Sequence, residues 1–228
     1  MDNENLNLNL KYLFPKTNKT KYLKTDDEGI YSISRPDDAK HITKLIKKKI
    51  LLLGLRNNDS DINNTTKIHN YGETNVIDMT ITDATAGIGG NTISFCRDFK
   101  SVIAIEINKN RFEYLKNNLK IYNLSNYIAI NSDMMEIIPK TEQDIIFIDP
   151  PWGGKSYMEH ENLDIYIGNT EISKISKDLL DNDNCKLVVL KLPYNYNIDN
   201  TVIMKKEKYQ ITRCLIRTKI LLLLINKL

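Results

Sequence analysis

The hydrophobic pattern divides the chain into strands and helices that alternate from about residue 76 onward. The unbroken apolar run Ile145, Ile146, Phe147, Ile148 fits a parallel strand covered on both faces. Pro150 and Pro151 end it, because neither strand nor helix continues through a proline pair. Similar runs predict strands over 77–83, 101–106, 127–130 and 186–192, and two late strands around 202–211 and 213–225. Between them apolar residues recur at helical spacing. Ile93, Phe95 and Phe99 predict a helix after the first strand, and Phe112, Leu115, Leu119 and Tyr122 predict one that begins near Asn108. A further helix is expected over 170–180. Strands alternating with helices build a parallel sheet through right-handed crossovers.

Upstream, Ile42, Leu45, Ile46, Ile50 and Leu53 share one helical face. Ser34 is expected to cap this helix, with Pro36 in its first turn, Asp37 and Asp38 at the positive end and Gly54 after its close. The opposite face, with Lys44, Lys47 and Lys48, reads as solvated. Residues 56–75 are rich in Asn, Asp and Thr with almost no apolar side chains, the composition of a linker or surface loop. The segment before residue 35 interleaves bases with aromatics (Lys11-Tyr12, Lys21-Tyr22, Tyr31). Three parts result: an arm and helix over 1–55, a polar loop over 56–75, and the α/β domain over 76–228.

Composition narrows the partners. A chain of 228 residues holds one domain with a normal core and an extension. A net charge of +3 is too small for binding that depends on neutralising many phosphates. The polar opening Met1-Asp2-Asn3-Glu4-Asn5 and the shortness of the longest apolar run, 220–225, lead to the expectation of a soluble, intracellular protein with no membrane contact. Cys96, Cys185 and Cys214 are scattered and read as buried thiols, and His41, His69 and His160 form no ligand pattern, so no metal is expected. A monomer is expected.

The chemistry sits where the strands end. At the close of 145–148, Asp149-Pro150-Pro151-Trp152-Gly153-Gly154 presents a carboxylate and an aromatic plane together. Asp149 and the Pro150 carbonyl can accept both hydrogens of an exocyclic amine on a nucleobase while Trp152 stacks on the ring, a contact worth roughly 1–3 kcal/mol. Upstream, the strand ending in Asp83 leads into Ala84-Thr85-Ala86-Gly87-Ile88-Gly89-Gly90-Asn91, a turn that lets a cofactor lie against the backbone at a helix N-terminus. A dinucleotide fingerprint would want glycine where Thr92 stands, and an acid before the turn suits a cationic cofactor. S-adenosylmethionine carries an ammonium and a sulfonium and no phosphate. Glu106 falls roughly 20 residues on, the offset at which a carboxylate accepts ribose hydroxyls. Asp133 can meet the adenine amino group and Met134 its face. The cofactor set is therefore Asp83, Ala84, Thr85, Gly87, Gly89, Asn91, Glu106, Asp133, Met134 and Asp149, with Asp149, Pro150 and Trp152 at the reacting amine.

These residues resemble the trimethylguanosine synthases. The resemblance rests on 83–93, on Val102-Ile103-Ala104-Ile105-Glu106 and above all on Pro150-Pro151-Trp152-Gly153-Gly154 through Tyr157, with a weaker match in Asp26-Asp27-Glu28-Gly29-Ile30 and Tyr31-Ser32-Ile33-Ser34. It implies a Rossmann-like class I methyltransferase: an α/β fold with a mostly parallel seven-stranded sheet, helices on both faces and a small N-terminal helical extension. It implies transfer from S-adenosylmethionine to N2 of the 7-methylguanosine cap of RNA, with an arm folded over the site. By resemblance, Lys11, Ser32 and Ser34 lie near cap phosphates or cofactor, and Trp152, Tyr157, Tyr194 and Asn195 lie on the substrate side. The chain departs from the family at two positions. Tyr194 stands where many members carry a phosphate-binding arginine, for which Lys191, Arg217 or Lys219 could substitute. Asp149 stands where members may hold serine, and this keeps open an amino-methyltransferase of uncapped RNA or of DNA adenine. A cap-binding protein without turnover is the remaining alternative.

Overall fold

The computed structural model describes residues 10–55 and 76–228, so the expected loop over 56–75 lies outside the described residues. Among the described residues nine strands form: β1 (Ile77–Asp83), β2 (Phe99–Ile105), β3 (Tyr127–Ile130), β4 (Ile145–Ile148), β5 (Tyr166–Ile167), β6 (Thr170–Glu171), β7 (Leu187–Pro193), β8 (Tyr209–Ile216) and β9 (Ile220–Lys227). Seven join one sheet in the order β3-β2-β1-β4-β7-β9-β8, and β5 and β6 make a small hairpin of their own. Within the large sheet β9 runs against both of its neighbours, while β3, β2, β1, β4 and β7 pair in parallel.

The helices are α1 (Asp27–Ser32), α2 (Pro36–Leu52), α3 (Gly90–Asp98), α4 (Lys109–Ile121), α5 (Met134–Ile137) and α6 (Ile172–Asp181). Ile42, Ile46 and Ile50 of α2 and Phe95 of α3 pack with Ile81, Phe147, Val189 and Leu224 on one face of the sheet. Ile172, Ile175 and Leu179 of α6 pack with Ile146, Ile148, Val188 and Leu223 on the other. Each such side chain contributes roughly 1.5–3 kcal/mol by leaving water, which is why β4 is apolar throughout and β7 apolar but for Lys191. In a third cluster Leu10, Leu13, Phe14 and Leu23 of the arm meet Ile88, Leu115 and Leu119. The arm therefore belongs to the core of the α/β domain, covering α4 and the turn after β1.

Four boundaries differ from the sequence reading. Arg35, not Ser34, is the N-cap of α2 and makes no side-chain cap, because Ser34 turns inward. Phe99 opens β2 instead of closing α3: the chain is already extended there, and the ring still reaches the same apolar layer. Thr170 and Glu171 form β6, and the helix starts only at Ile172, with Glu171 capping it through bonds from the Ser173 and Lys174 amides. The expected strand over 202–211 begins at Tyr209, after a 3-10 turn at Ile198–Ile203, and the reversal falls at Arg217 and Thr218, both with positive φ. Lysines on α2 are also less free than the pattern suggests. Lys47 pairs with Asp98 at 2.5 Å, and Lys49, 5% exposed, donates to Gln210 Oε1 and Thr212 Oγ1 of β8 at 2.7 and 3.0 Å.

Candidate active site

The C-terminal ends of β1, β2, β4 and β7 carry the acids and aromatics that the sequence singles out. Two backbone bonds close the strand ends together, from the Ala84 amide to the Phe147 carbonyl at 2.9 Å and from the Ala86 amide to the Ile105 carbonyl at 2.8 Å. The Asp149 amide donates to Thr85 Oγ1 at 2.8 Å, which ties the end of β4 to the turn after β1. Gly89 is the N-cap of α3 at φ 101°, a conformation that favours glycine. Gly90 lies under the arm: a Cβ there would stand 2.6 Å from Ile33 Cγ1 and 2.7 Å from the Ser34 carbonyl oxygen.

On the cofactor side, the Asp83 carboxyl is fully enclosed. Its Oδ2 accepts from Thr92 Oγ1 at 2.6 Å, and Oδ1 is buried without a hydrogen-bond partner. Burial, opposed by the Thr92 hydroxyl and reinforced by the Asp149 and Glu106 charges, pushes its pKa up to about 7. Glu106 accepts from the Gly87 amide at 2.8 Å and the Asn108 amide at 2.7 Å. Arg111 stands 3.8 Å from Glu106 Oε1 and 2.6 Å from Glu28 Oε2, so it links the acid to α1. Asn131 donates to the Glu106 carbonyl at 2.7 Å, drawing the end of β3 toward β2. Beyond it Asp133 caps α5 by accepting from the Met135 amide at 2.8 Å, and Met134 is buried. An unpaired buried carboxylate oxygen is costly unless something donates to it. An ammonium group at Asp83 Oδ1 removes that cost, so the residues present fit the cationic cofactor.

On the acceptor side, Pro150 is buried, and Trp152 is half-buried with its Nε1 donating to the Lys191 carbonyl at 3.3 Å. Tyr157 meets Trp152 edge-on, with ring centroids 5.3 Å apart. Asn195 is buried and donates to the carbonyls of Tyr157 at 2.8 Å and His160 at 2.6 Å, which fixes the 3-10 turn Gly154–Glu159 against the end of β7. Tyr194 is exposed at the rim, and its amide donates to the Lys219 carbonyl at 3.1 Å.

The substrate-side bases divide. Lys191 is 5% exposed and its Nζ lies 2.5 Å from Asp149 Oδ2, so it is a buried partner of the acid and not a cation held out to phosphates. Arg217 pairs with Asp38 at 2.6 Å, whereas Lys219 is exposed, with no ion pair among the described residues. In the arm, Ser34 is buried and its Oγ accepts from Asn91 Nδ2 at 3.0 Å, which seats the arm on the first turn of α3. Ser32 is exposed and donates to the Glu28 carbonyl at 2.8 Å. Lys11 is exposed on the helical turn at 10–13, and no hydrogen bond or ion pair joins it to the strand ends.

The sequence reading gives Thr92 and Arg111 no role and does not pair Lys191 with Asp149. Two left a trace: Thr92 occupies the fingerprint's missing glycine, and Lys191 is a lysine inside the otherwise apolar Leu187–Pro193. Among the described residues no group of three or more His, Cys, Asp or Glu is placed to hold a metal ion, and no helix is long and apolar enough to cross a membrane.

Several known proteins are similar to this chain. An uncharacterised protein of Acanthamoeba polyphaga mimivirus, L320, is 34% identical over 194 residues, spanning 83% of this chain and 75% of that protein. Trimethylguanosine synthase of Schizosaccharomyces pombe is 38% identical over 84 residues, 34% of this chain and 35% of that enzyme. Two solved structures share the fold. A methyltransferase candidate from Porphyromonas gingivalis W83 superposes with a TM-score of 0.59 at 13% identity, over 92% of this chain and 44% of that one. The Escherichia coli methyltransferase candidate yhhF superposes with a TM-score of 0.52 at 15% identity, over 82% and 84%. The sequence model of the RNA cap guanine-N2 methyltransferases matches residues 78–225, from β1 to β9. The chain belongs to that family of methyltransferases, with S-adenosylmethionine as its cofactor.

Proposed function

We propose that the chain transfers a methyl group to the exocyclic N2 of 7-methylguanosine in an RNA 5′ cap, giving 2,7-dimethylguanosine, with 2,2,7-trimethylguanosine the product of a second transfer. The observation that carries this reading is the placement of Trp152 and Asp149 over the same strand ends as the unpaired Oδ1 of Asp83. S-adenosylmethionine supplies an electrophilic methyl group on a sulfonium. Asp83 would hold its ammonium, Glu106 its ribose hydroxyls, and Asp133 and Met134 its adenine, against the backbone from Ala84 through Gly87 and Gly89 to Asn91. Trp152 stacks on the base, favouring a cationic one through its π-face. Asp149 and the Pro150 carbonyl accept the two hydrogens of the amine and so turn its lone pair toward the methyl group. Orientation and electrostatic placement supply most of the rate.

A second reading, an amino-methyltransferase of uncapped RNA or DNA adenine, is favoured by Asp149 and by Tyr194. One assay separates the two: transfer from labelled S-adenosylmethionine to a 7-methylated cap dinucleotide, run beside the same dinucleotide without the 7-methyl group and beside uncapped RNA and DNA oligonucleotides. Label on the methylated cap alone supports the proposal. Equal label removes the cationic-base argument, and label only on uncapped oligonucleotides establishes the second reading. Binding of both ligands without transfer would make the chain a cap-binding protein.

A further inference from the structure

A lysine in the middle of an apolar strand is an unusual investment. All residues of β7 are buried, Lys191 among them, and its Nζ lies 2.5 Å from Asp149 Oδ2 and 5.3 Å from the centroid of the Trp152 ring. The carbonyl of the same residue accepts from Trp152 Nε1. One residue of β7 therefore touches both the acid and the aromatic plane of the acceptor side. Asp149 is further held at its amide by Thr85 Oγ1. With Oδ2 engaged and the backbone tied, Oδ1 is the oxygen left to face an incoming amine. No bond from the described residues reaches it.

The charge that acts on this carboxylate is Lys191 from β7, which favours its ionisation. Asp149 in turn opposes ionisation of Asp83 at the end of β1, which Lys191 favours. Burial raises the Asp149 pKa and outweighs Lys191, whose charge and hydrogen bond lower it in part.

We propose that Lys191 is a positioning residue of the acceptor site: its ion pair with Oδ2 orients Asp149 and favours the carboxylate form, so that Oδ1 accepts a hydrogen of the acceptor amine and takes the proton released on methyl transfer. The proposal rests on the reading that the site methylates an exocyclic amine. In the step, the N–C bond forms as the S–C bond breaks and its electron pair stays on sulfur. The methylated nitrogen carries the positive charge until its proton passes to Asp149 Oδ1 and then to water.

The test has one arm without turnover and one with it. In protein saturated with S-adenosylhomocysteine, the titration of the Asp149 side-chain carboxyl is followed by carbon-13 NMR, assigned with Asp149→Asn. We expect Lys191→Met to raise the midpoint by about one pH unit or more and Lys191→Arg to restore it. An unmoved midpoint overturns the proposal. In the second arm, pH–rate profiles are measured on whichever amine acceptor the wild type methylates, so failure on caps refutes the cap reading without touching the pair. Lys191→Met should lower kcat about tenfold or more near neutral pH, with recovery as pH rises and little change in KM. The same substitution in an Asp149→Asn background should leave the profile where it was. A pH-independent loss that Lys191→Arg does not rescue, or an equal shift in the Asp149→Asn background, would make Lys191 structural or place its action at Asp83, and either result overturns the proposal.

Discussion

Asp83 combines two properties that a single titration can separate. Its carboxyl holds a pKa of about 7 against an ordinary 3.8, so between those values the folded chain keeps a proton that the unfolded chain has lost. Stability from this group is therefore present below about pH 4 and drains as pH rises toward 7, at up to about 1.4 kcal/mol per unit. The cofactor-free wild type should melt progressively lower across that window, and Asp83→Asn should lack this part of the slope. Binding a cationic amine at Oδ1 reverses the preference. Calorimetry of S-adenosylmethionine binding in buffers of different ionisation enthalpy should show proton release at pH 6 that vanishes by pH 8.5. Asp83→Ala should weaken the cofactor, and unchanged affinity would remove the assignment. Trp152→Ala should abolish methylation of a capped RNA while leaving cofactor affinity nearly intact; loss of both would show that its bond to the Lys191 carbonyl and its contact with Tyr157 are structural.

At the scale of elements, the junction between arm and α3 is the tightest. Gly90→Ala places a methyl group against Ile33 and the Ser34 backbone, and neither can move without lifting α1 from the turn after β1. We expect a loss of about 1–3 kcal/mol in thermal or denaturant melts together with weaker cofactor binding. Such a close approach is invisible in a sequence, which shows a glycine but not what passes over it. The bounds of β1, β3 and β4 were legible because apolar positions, alternating in β1 and continuous in β3 and β4, give way to polar or turn-forming residues on both sides. Phe99 was not: it sits four residues after Phe95, which satisfies a helical period, and it also heads a strand. The late hairpin was misplaced because β8, at the sheet edge, alternates only loosely, whereas β9 is buried along Leu221–Ile225. Asp83, Glu106 and Asp149 could be found as acids at strand ends. The partnership of Asp149 with Lys191 could not, because it depends on β4 and β7 lying side by side.

Over the whole molecule, the arm behaves as core. Phe14 is 1% exposed among Ile88, Leu115 and Leu119, and Tyr122 donates its hydroxyl to the Pro15 carbonyl at 2.5 Å. Phe14→Ala should cost about 3–5 kcal/mol, as an internal aromatic does, and lower the single melting transition rather than split it. A first transition confined to the arm would show instead that it docks as a separate unit.

The position of β9 sets an order in time. It is made after β8 yet lies between β8 and β7, so β8 has no sheet to join until β9 arrives. As the chain leaves a ribosome, β1 to β4 and β7 can already be paired while the far edge of β7 stands open. The Asp83 and Glu106 end can therefore be complete before the edge of β7, which carries Lys191, is covered. A nascent chain stalled ahead of residue 220 should then retain a cofactor before it gains any power to hold a base.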